Sequence, residues 1–245
     1  MAGHSKWKNI QHRKGAQDAK RGRVFTKIAV EITAATRMGG ANPDDNPRLR
    51  TALAKAKAAN MPKDNWMRAI KKGSGDGGGN DYEEKVYEGY STGGIALIVE
   101  CLTDNLNRTI SNIRFAFTRA GGGIGSEGSV SWMFQRKGLF IIPRAAINDI
   151  EQLFEIALEN GAEDIEELDE QVEISCATEQ FLGLKDTIEA LQIVPEFCEL
   201  TRIADNMVEI SKEQQESLQK LLDALEDDED VQNVFHNAEL DTLIL

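Results

Sequence analysis

Apolar positions recur at helical spacing through the first third of the chain. Val24, Phe25, Ile28, Ile32 and Ala35 share one face of a helix predicted over Ala16–Met38, which Gly39-Gly40 stop. After the turn Asn42-Pro43-Asp44-Asp45, Asn46 stands as an N-cap with Pro47 at the first helical position. Leu49, Ala52, Leu53 and Ala56 form the stripe of that second helix. Pro62 ends it and opens a third, with Trp66, Met67 and Ile70 predicted to face inward. The stripes are narrow and alanine-rich, so the bundle they build is small. Gly73 to Asn80 is a glycine-rich linker and the clearest boundary in the chain.

Beyond the linker the period changes. Ile95–Leu102 reads as an apolar strand, Asn107–Ala120 as a helix with Ile110, Ile113 and Phe117 inward, and Ser129–Phe134 as an alternating strand. Gly138–Pro143, Ala146–Asn160, Ala162–Asp169, Gln171–Thr178, Glu179–Gln192 and Glu196–Arg202 then read β-α-β-β-α-β, the order of a ferredoxin-like unit. A strand at Met207–Ser211, a helix at Lys212–Leu225 and a strand at Val231–His236 remain, without a sheet of their own. They are placed most economically in the sheet begun by Ile95–Phe134. The expected class is therefore α+β in three domains. These are a helical domain with its linker (1–80), a discontinuous α/β domain (81–136 plus 205–245) and an inserted ferredoxin-like domain (137–204).

Charge changes the picture more than composition does. The 245 residues sum to a net charge of −13, yet residues 1–72 carry +12, residues 73–145 carry −1 and residues 146–245 carry −24. A chain polarised in this way is read by domain. The basic third is densest at its start: Lys6, Lys8, Arg13, Lys14, Lys20, Arg21 and Arg23 are opposed by Asp18 alone, and Lys27 follows. A field of one sign at that density holds a polyanion by neutralising phosphates and releasing counterions. Trp7 either offers a stacking surface to unpaired bases or packs on the helices below.

The remaining motifs mostly exclude. Gly73–Gly78 and Gly123–Gly128 both satisfy G-x-G-x-x-G, but one lies in a linker and the other follows a helix and precedes a strand. A dinucleotide site needs the reverse order, so both are turns. Asp104–Thr109 joins a strand to a helix. It is either a turn with Asn107 as N-cap, or a polar recognition loop in which Arg108 and Arg119, on one helical face, touch phosphate. Glu226–Asp230 falls at a helix C-terminus and is expected to be a solvated turn.

Cys101, Cys176 and Cys198 lie far apart in apolar segments, as reduced buried cysteines do. No G-x-S-x-G, no Cys–His constellation, no carboxylate pair that spacing places in a common cleft and no metal-ligand spacing is present, so neither enzyme, cofactor nor metal site is expected. The longest aliphatic run, Ile95–Val99, is too short for a membrane span, and Met1–Lys8 lacks a signal-peptide core. A cytoplasmic protein without membrane or small-molecule partner is expected. No dimerisation stripe is visible, which leaves a monomer.

Met1-Ala2-Gly3-His4-Ser5-Lys6-Trp7, His12-Arg13-Lys14, Gln17–Gly22, Asn46–Arg50, Ala59–Asn65, Ala69–Gly73, Thr103-Asp104-Asn105 with Asn107-Arg108-Thr109, and Gly128–Phe134 resemble the YebC/PmpR family. The likeness, which includes Asp227–Asn237, covers essentially the whole chain. It implies a helical domain followed by two α/β domains, the third inserted in the second. It also implies one of two activities. Members are catalogued as probable transcriptional regulators that bind DNA. Others, including the mitochondrial translational activator of cytochrome oxidase subunit one, act on the ribosome and relieve stalling at proline-rich stretches. A nucleic-acid-binding regulator of gene expression is expected, with a ribosomal-RNA-binding translation factor as the alternative. A purely structural adaptor would leave the +12 unexplained.

Overall fold

A computed structural model describes residues 21–76 and 81–240 of the chain. The described residues divide into two compact units, one made by 132–207 with 239–240, the other by 21–131 with 208–238.

The larger unit opens with three helices, α1 (Arg21–Gly39), α2 (Pro47–Ala58) and α3 (Lys63–Lys71). Their core is Ile28, Ile32, Ala35, Leu49, Ala52, Ala56, Met61 and Ala69, with Trp66 and Ile70 against it. The expected stripes are therefore used, with one correction: Met67 is half exposed, two positions before the buried Ala69. Gly40 takes φ +87° just past α1, a conformation that glycine adopts without strain.

Asn46 caps α2 by accepting from the Leu49 N–H at 3.0 Å. Its amide also donates to the carbonyls of Ala35 and Gly40, both at 2.8 Å. One buried side chain thus closes the end of α1 and the start of α2.

The sheet of this unit has the order β3-β1-β2-β9, antiparallel throughout. Its strands are β1 (Glu83–Tyr90), β2 (Ala96–Thr103), β3 (Gly123–Ile124) and β9 (Val231–His236). β2 is buried along nearly its whole length. Helices α4 (Leu106–Arg119) and α7 (Lys212–Glu226) pack on each other, α4 also against β1 and β2 and α7 against β9. Ile113 and Phe117 of α4 and Leu218, Leu221 and Leu225 of α7 are all buried. β9 returns to β2 as the pattern predicted.

Two expectations are corrected here. β1 was not anticipated, and Ser129–Phe134 is not a strand. The backbone N–H groups of Gly128, Val130 and Ser131 donate instead to the Glu88 carboxylate, at 2.7–2.9 Å. Committed to a side chain, they cannot form a ladder.

The smaller unit is β4 (Phe134–Pro143), α5 (Ile150–Glu159), β5 (Ala162–Glu167), β6 (Gln171–Ala177), α6 (Phe181–Ala190) and β7 (Phe197–Ala204). The sheet order is β5-β6-β4-β7 with every pair antiparallel, which is the ferredoxin-like arrangement. Phe140, Ile142, Leu153, Ile174, Leu184 and Ile188 fill the space between sheet and helices. Gly138 admits the ring of Phe181: a Cβ there would lie 2.5 Å from Cδ2 of that ring and 2.7 Å from Cys176 Sγ. The predicted strand at Met207–Ser211 shrinks to β8 (Val208–Glu209), because Ser211 leaves to cap α7 in a capping box with Gln214. No described helix is long and apolar enough to cross a membrane.

Candidate nucleic-acid interface

The chemistry of the larger unit concentrates where α4 leaves β2. Asn105, not Asn107, is the N-cap: its side chain accepts from the Arg108 N–H at 3.1 Å. The helix therefore starts at Leu106, and Arg108 falls in its first turn. There the guanidinium donates from Nε and Nη2 to the Asp230 carboxylate, at 2.7–3.1 Å, and from Nη2 to Asp104 at 2.9 Å.

Asp230 is buried and also lies 2.8 Å from the Thr109 hydroxyl, which contacts Thr103 Oγ1 at 2.7 Å. These bonds raise the Arg108 pKa, first through Asp230 and then, against the cost of burial, through Asp104. Arg108 is thus a half-exposed structural cation whose charge is already matched, which favours the turn-and-cap alternative over the contact with phosphate. The expectation for Glu226–Asp230 is corrected as well. Asp230 is an interior anchor, Asp228 accepts from Asn112 at 2.8 Å, and Asp227 forms an ion pair with Arg23 of α1.

Burial pushes the Cys101 thiol far up, Asp228 and Asp230 push it further, and the Lys27 charge opposes them. Arg119, at the other end of α4, is exposed and has no carboxylate partner among the described residues. Arg21 opens α1. Lys6, Trp7, Lys8, Arg13, Lys14 and Lys20 lie outside the described residues.

Between the three-helix bundle and the α4–α7 layer runs a cleft of about 1660 Å³. Arg108, Asn112, Phe115 and Arg119 recur at helical spacing along α4, and all four line it. From the bundle come Phe25, Arg68 and Lys72, and Tyr82 joins from the start of the α/β part. Phe115 is 65 % exposed.

None of Phe115, Arg68 and Lys72 was anticipated. The signal for Phe115 was present, an aromatic on the charged face of an amphipathic helix, four residues before Arg119. Arg68 and Lys72 gave no such signal, since a narrow helix with cations at its end reads as an ordinary solvated surface. Among the described residues no group of three His, Cys, Asp or Glu is arranged to hold a metal ion.

Two family models match the chain. One, described as the TACO1/YebC protein N-terminal domain, matches residues 5–76, and the other, the TACO1/YebC second and third domain, matches residues 82–238. A "Probable transcriptional regulatory protein" of Geotalea uraniireducens is 50% identical over 98% of this chain and 96% of its own length. One of the same name from Syntrophotalea carbinolica is 51% identical with the same coverage. The crystal structure of a conserved hypothetical protein from Aquifex aeolicus superimposes with a TM-score of 0.78 at 44% identity, covering 93% of this chain and 94% of that one. The chain belongs to the TACO1/YebC family.

Proposed function

We propose that the chain is a nucleic-acid-binding regulator of gene expression, of the kind its relatives' shared name, probable transcriptional regulatory protein, describes. The observation that carries the reading is the segregation of charge, +12 in the first 72 residues against −24 in the last hundred. Residues 1–80 hold the nucleic acid through Lys6, Trp7, Lys8, Arg13, Lys14, Lys20, Arg21, Arg23 and Lys27, with Arg119 extending the surface. The bundle supports this by exposing Arg50, Lys57, Lys63, Arg68, Lys71 and Lys72. The acidic parts, 81–136 with 205–245 and the insertion 137–204, repel phosphate and confine binding to the basic end. The protein acts by binding rather than catalysis, in the cytoplasm, as a monomer.

The connection between α2 and α3, Ala59 to Pro62 with Asn60 at φ +55°, is as short as those of duplex readers and favours DNA. A second reading, a ribosome-associated translation factor, is favoured by the longer Gly40–Asn46 connection between α1 and α2 and by an aromatic-lined cleft suited to RNA.

Sedimentation of lysate through a sucrose gradient separates the two. A ribosome-bound factor travels with ribosomes at low salt and leaves them at high salt, whereas a transcriptional regulator stays in the free fractions and protects a defined promoter. Charge reversal at Lys6, Lys8, Arg13, Lys14, Lys20, Arg21 and Arg23 should abolish binding in either case. Retained affinity with an unchanged salt slope would reject the basic end as the binding surface.

A further inference from the structure

The cleft carries more information than its size. Its charge is unevenly distributed. The cleft-lining residues of α1, α3 and α4 include Arg68, Arg108 and Arg119 and no Asp or Glu, and Lys72 follows α3. Those of α7 are mostly acidic, Glu213, Glu216 and Asp223 with Lys220 among them, while Asp104 and the turn 227–230 line the end beside Arg108. Arg108 and Asn112 are tied to the acidic turn that follows α7, so Phe115 and Arg119 are the part of the α4 stripe left for a ligand. A basic lane with an exposed aromatic in it, bordered on one side by carboxylates, accepts a single row of phosphates. A duplex carries a second row, which would meet α7.

We propose that this cleft takes an unpaired nucleic-acid strand, with a base stacked on Phe115 and backbone phosphates at Arg68, Lys72 and Arg119. The inference rests on the nucleic-acid reading above and adds to it the form of the ligand. Stacking on an aromatic tolerates any base, since each has a π-face. The bordering carboxylates accept from exocyclic amines of cytosine or adenine and repel backbone phosphates. Arg68 is pre-set for the role: its Nη2 donates to Asn65 Oδ1 at 2.6 Å and its Nε to the Asp64 carbonyl at 3.1 Å, which hold the guanidinium in place.

The test is fluorescence anisotropy of the full chain with labelled U20 RNA, dT20 DNA and a blunt 20-base-pair DNA duplex. Phe115→Ala should weaken both single strands by at least about fivefold, the low end of what a lost stacking partner costs, and leave the duplex within twofold. Phe115→Trp should restore binding. Arg119→Gln and Lys72→Gln should each reduce the single-strand salt slope by about 0.7. Glu213→Gln with Glu216→Gln should tighten the duplex more than the single strands. All five positions are exposed, and unchanged far-UV circular dichroism and melting temperature certify each fold.

A preference for U20 over dT20 assigns RNA, and the reverse assigns single-stranded DNA; either supports the cleft. Wild-type binding that Phe115→Ala leaves unchanged, or weakens equally for duplex and single strand, overturns the inference while the binding function stands. Failure of the wild type to bind any of the three overturns both.

Discussion

Arg108 and Asp230, 122 positions apart, meet through three hydrogen bonds no longer than 3.1 Å, with the carboxylate buried and the guanidinium half exposed. The pair ties the first turn of α4 to the entry of β9, and the Leu102 N–H donates to the Asp230 carbonyl at 2.8 Å beside it.

The asymmetry in burial decides how the two partners respond to deletion. Arg108→Ala strands a carboxylate in the interior, whereas Asp230→Ala strands a cation that still reaches water. At pH 7 Arg108→Ala should cost about 3 kcal/mol, the low end for breaking a buried pair, and Asp230→Ala less. Urea unfolding at pH 7 checks the order. Equal costs for the two variants would show that burial does not govern the pair.

Glu88 should govern part of the acid stability. Burial raises its pKa, but the N–H donors of Val130, Gly128 and Ser131 outweigh that and hold it below the ordinary carboxylate range. The folded value is below the unfolded one, so its stabilisation is present above the unfolded value, near 4.3, and is lost as pH falls through the folded value. Glu88→Gln should cost about 2 kcal/mol at pH 7, because one donor must face an amide NH2. The gap to wild type should narrow as pH falls through the lowered folded value, measured by denaturant titration.

Asn46 makes a sharper test of the helical bundle than any core residue. Asn46→Asp keeps the cap acceptor but turns the amide donor into an oxygen between two carbonyls. It should cost about 2 kcal/mol or more, and Asn46→Ser, which caps but does not bridge, should cost less. Calorimetric melting reads the ranking. Asp matching wild type would show that the bridge to Ala35 and Gly40 contributes nothing.

The three thiols should be silent in the native state. Burial pushes Cys198 up to about 12, and Cys101 and Cys176 are buried and raised as well. At pH 8 Ellman's reagent should label none within the time that labels all three in urea. Rapid native labelling at Cys198, the least buried, would overturn this.

What the sequence disclosed, it disclosed where the signal was local. The apolar stripe of α1, the Asn46-Pro47 start of α2 and the six elements of the ferredoxin-like unit all depend on neighbours within a few turns. β1 was hidden because Glu88 occupies a core position, and a glutamate there reads as solvent. Its partners at Gly128, Val130 and Ser131 lie forty or more residues on. Asp230 was misjudged for the same reason, as the fifth acid of a run whose neutralising arginine is distant. The cap moved from Asn107 to Asn105 because Asp104-Asn105-Leu106-Asn107 offers two good caps, and the Thr103–Thr109–Asp230 bonding chooses between them. The cleft combines helices from distant segments, so only its individual cations and Phe115 were available to inspection.

The return of β9 to β2 sets an order of assembly during synthesis. Glu100 and Asn233, 133 positions apart, are joined by a 3.2 Å hydrogen bond across that pairing. Everything in β4 to β7 is contiguous and can close as soon as it leaves the ribosome. The β1–β2 hairpin must meanwhile wait with one edge of β2, among the most apolar strands in the chain, unpaired. A nascent chain that stops short of Val231 carries that edge permanently, which makes late truncation an aggregation lesion rather than the loss of a tail.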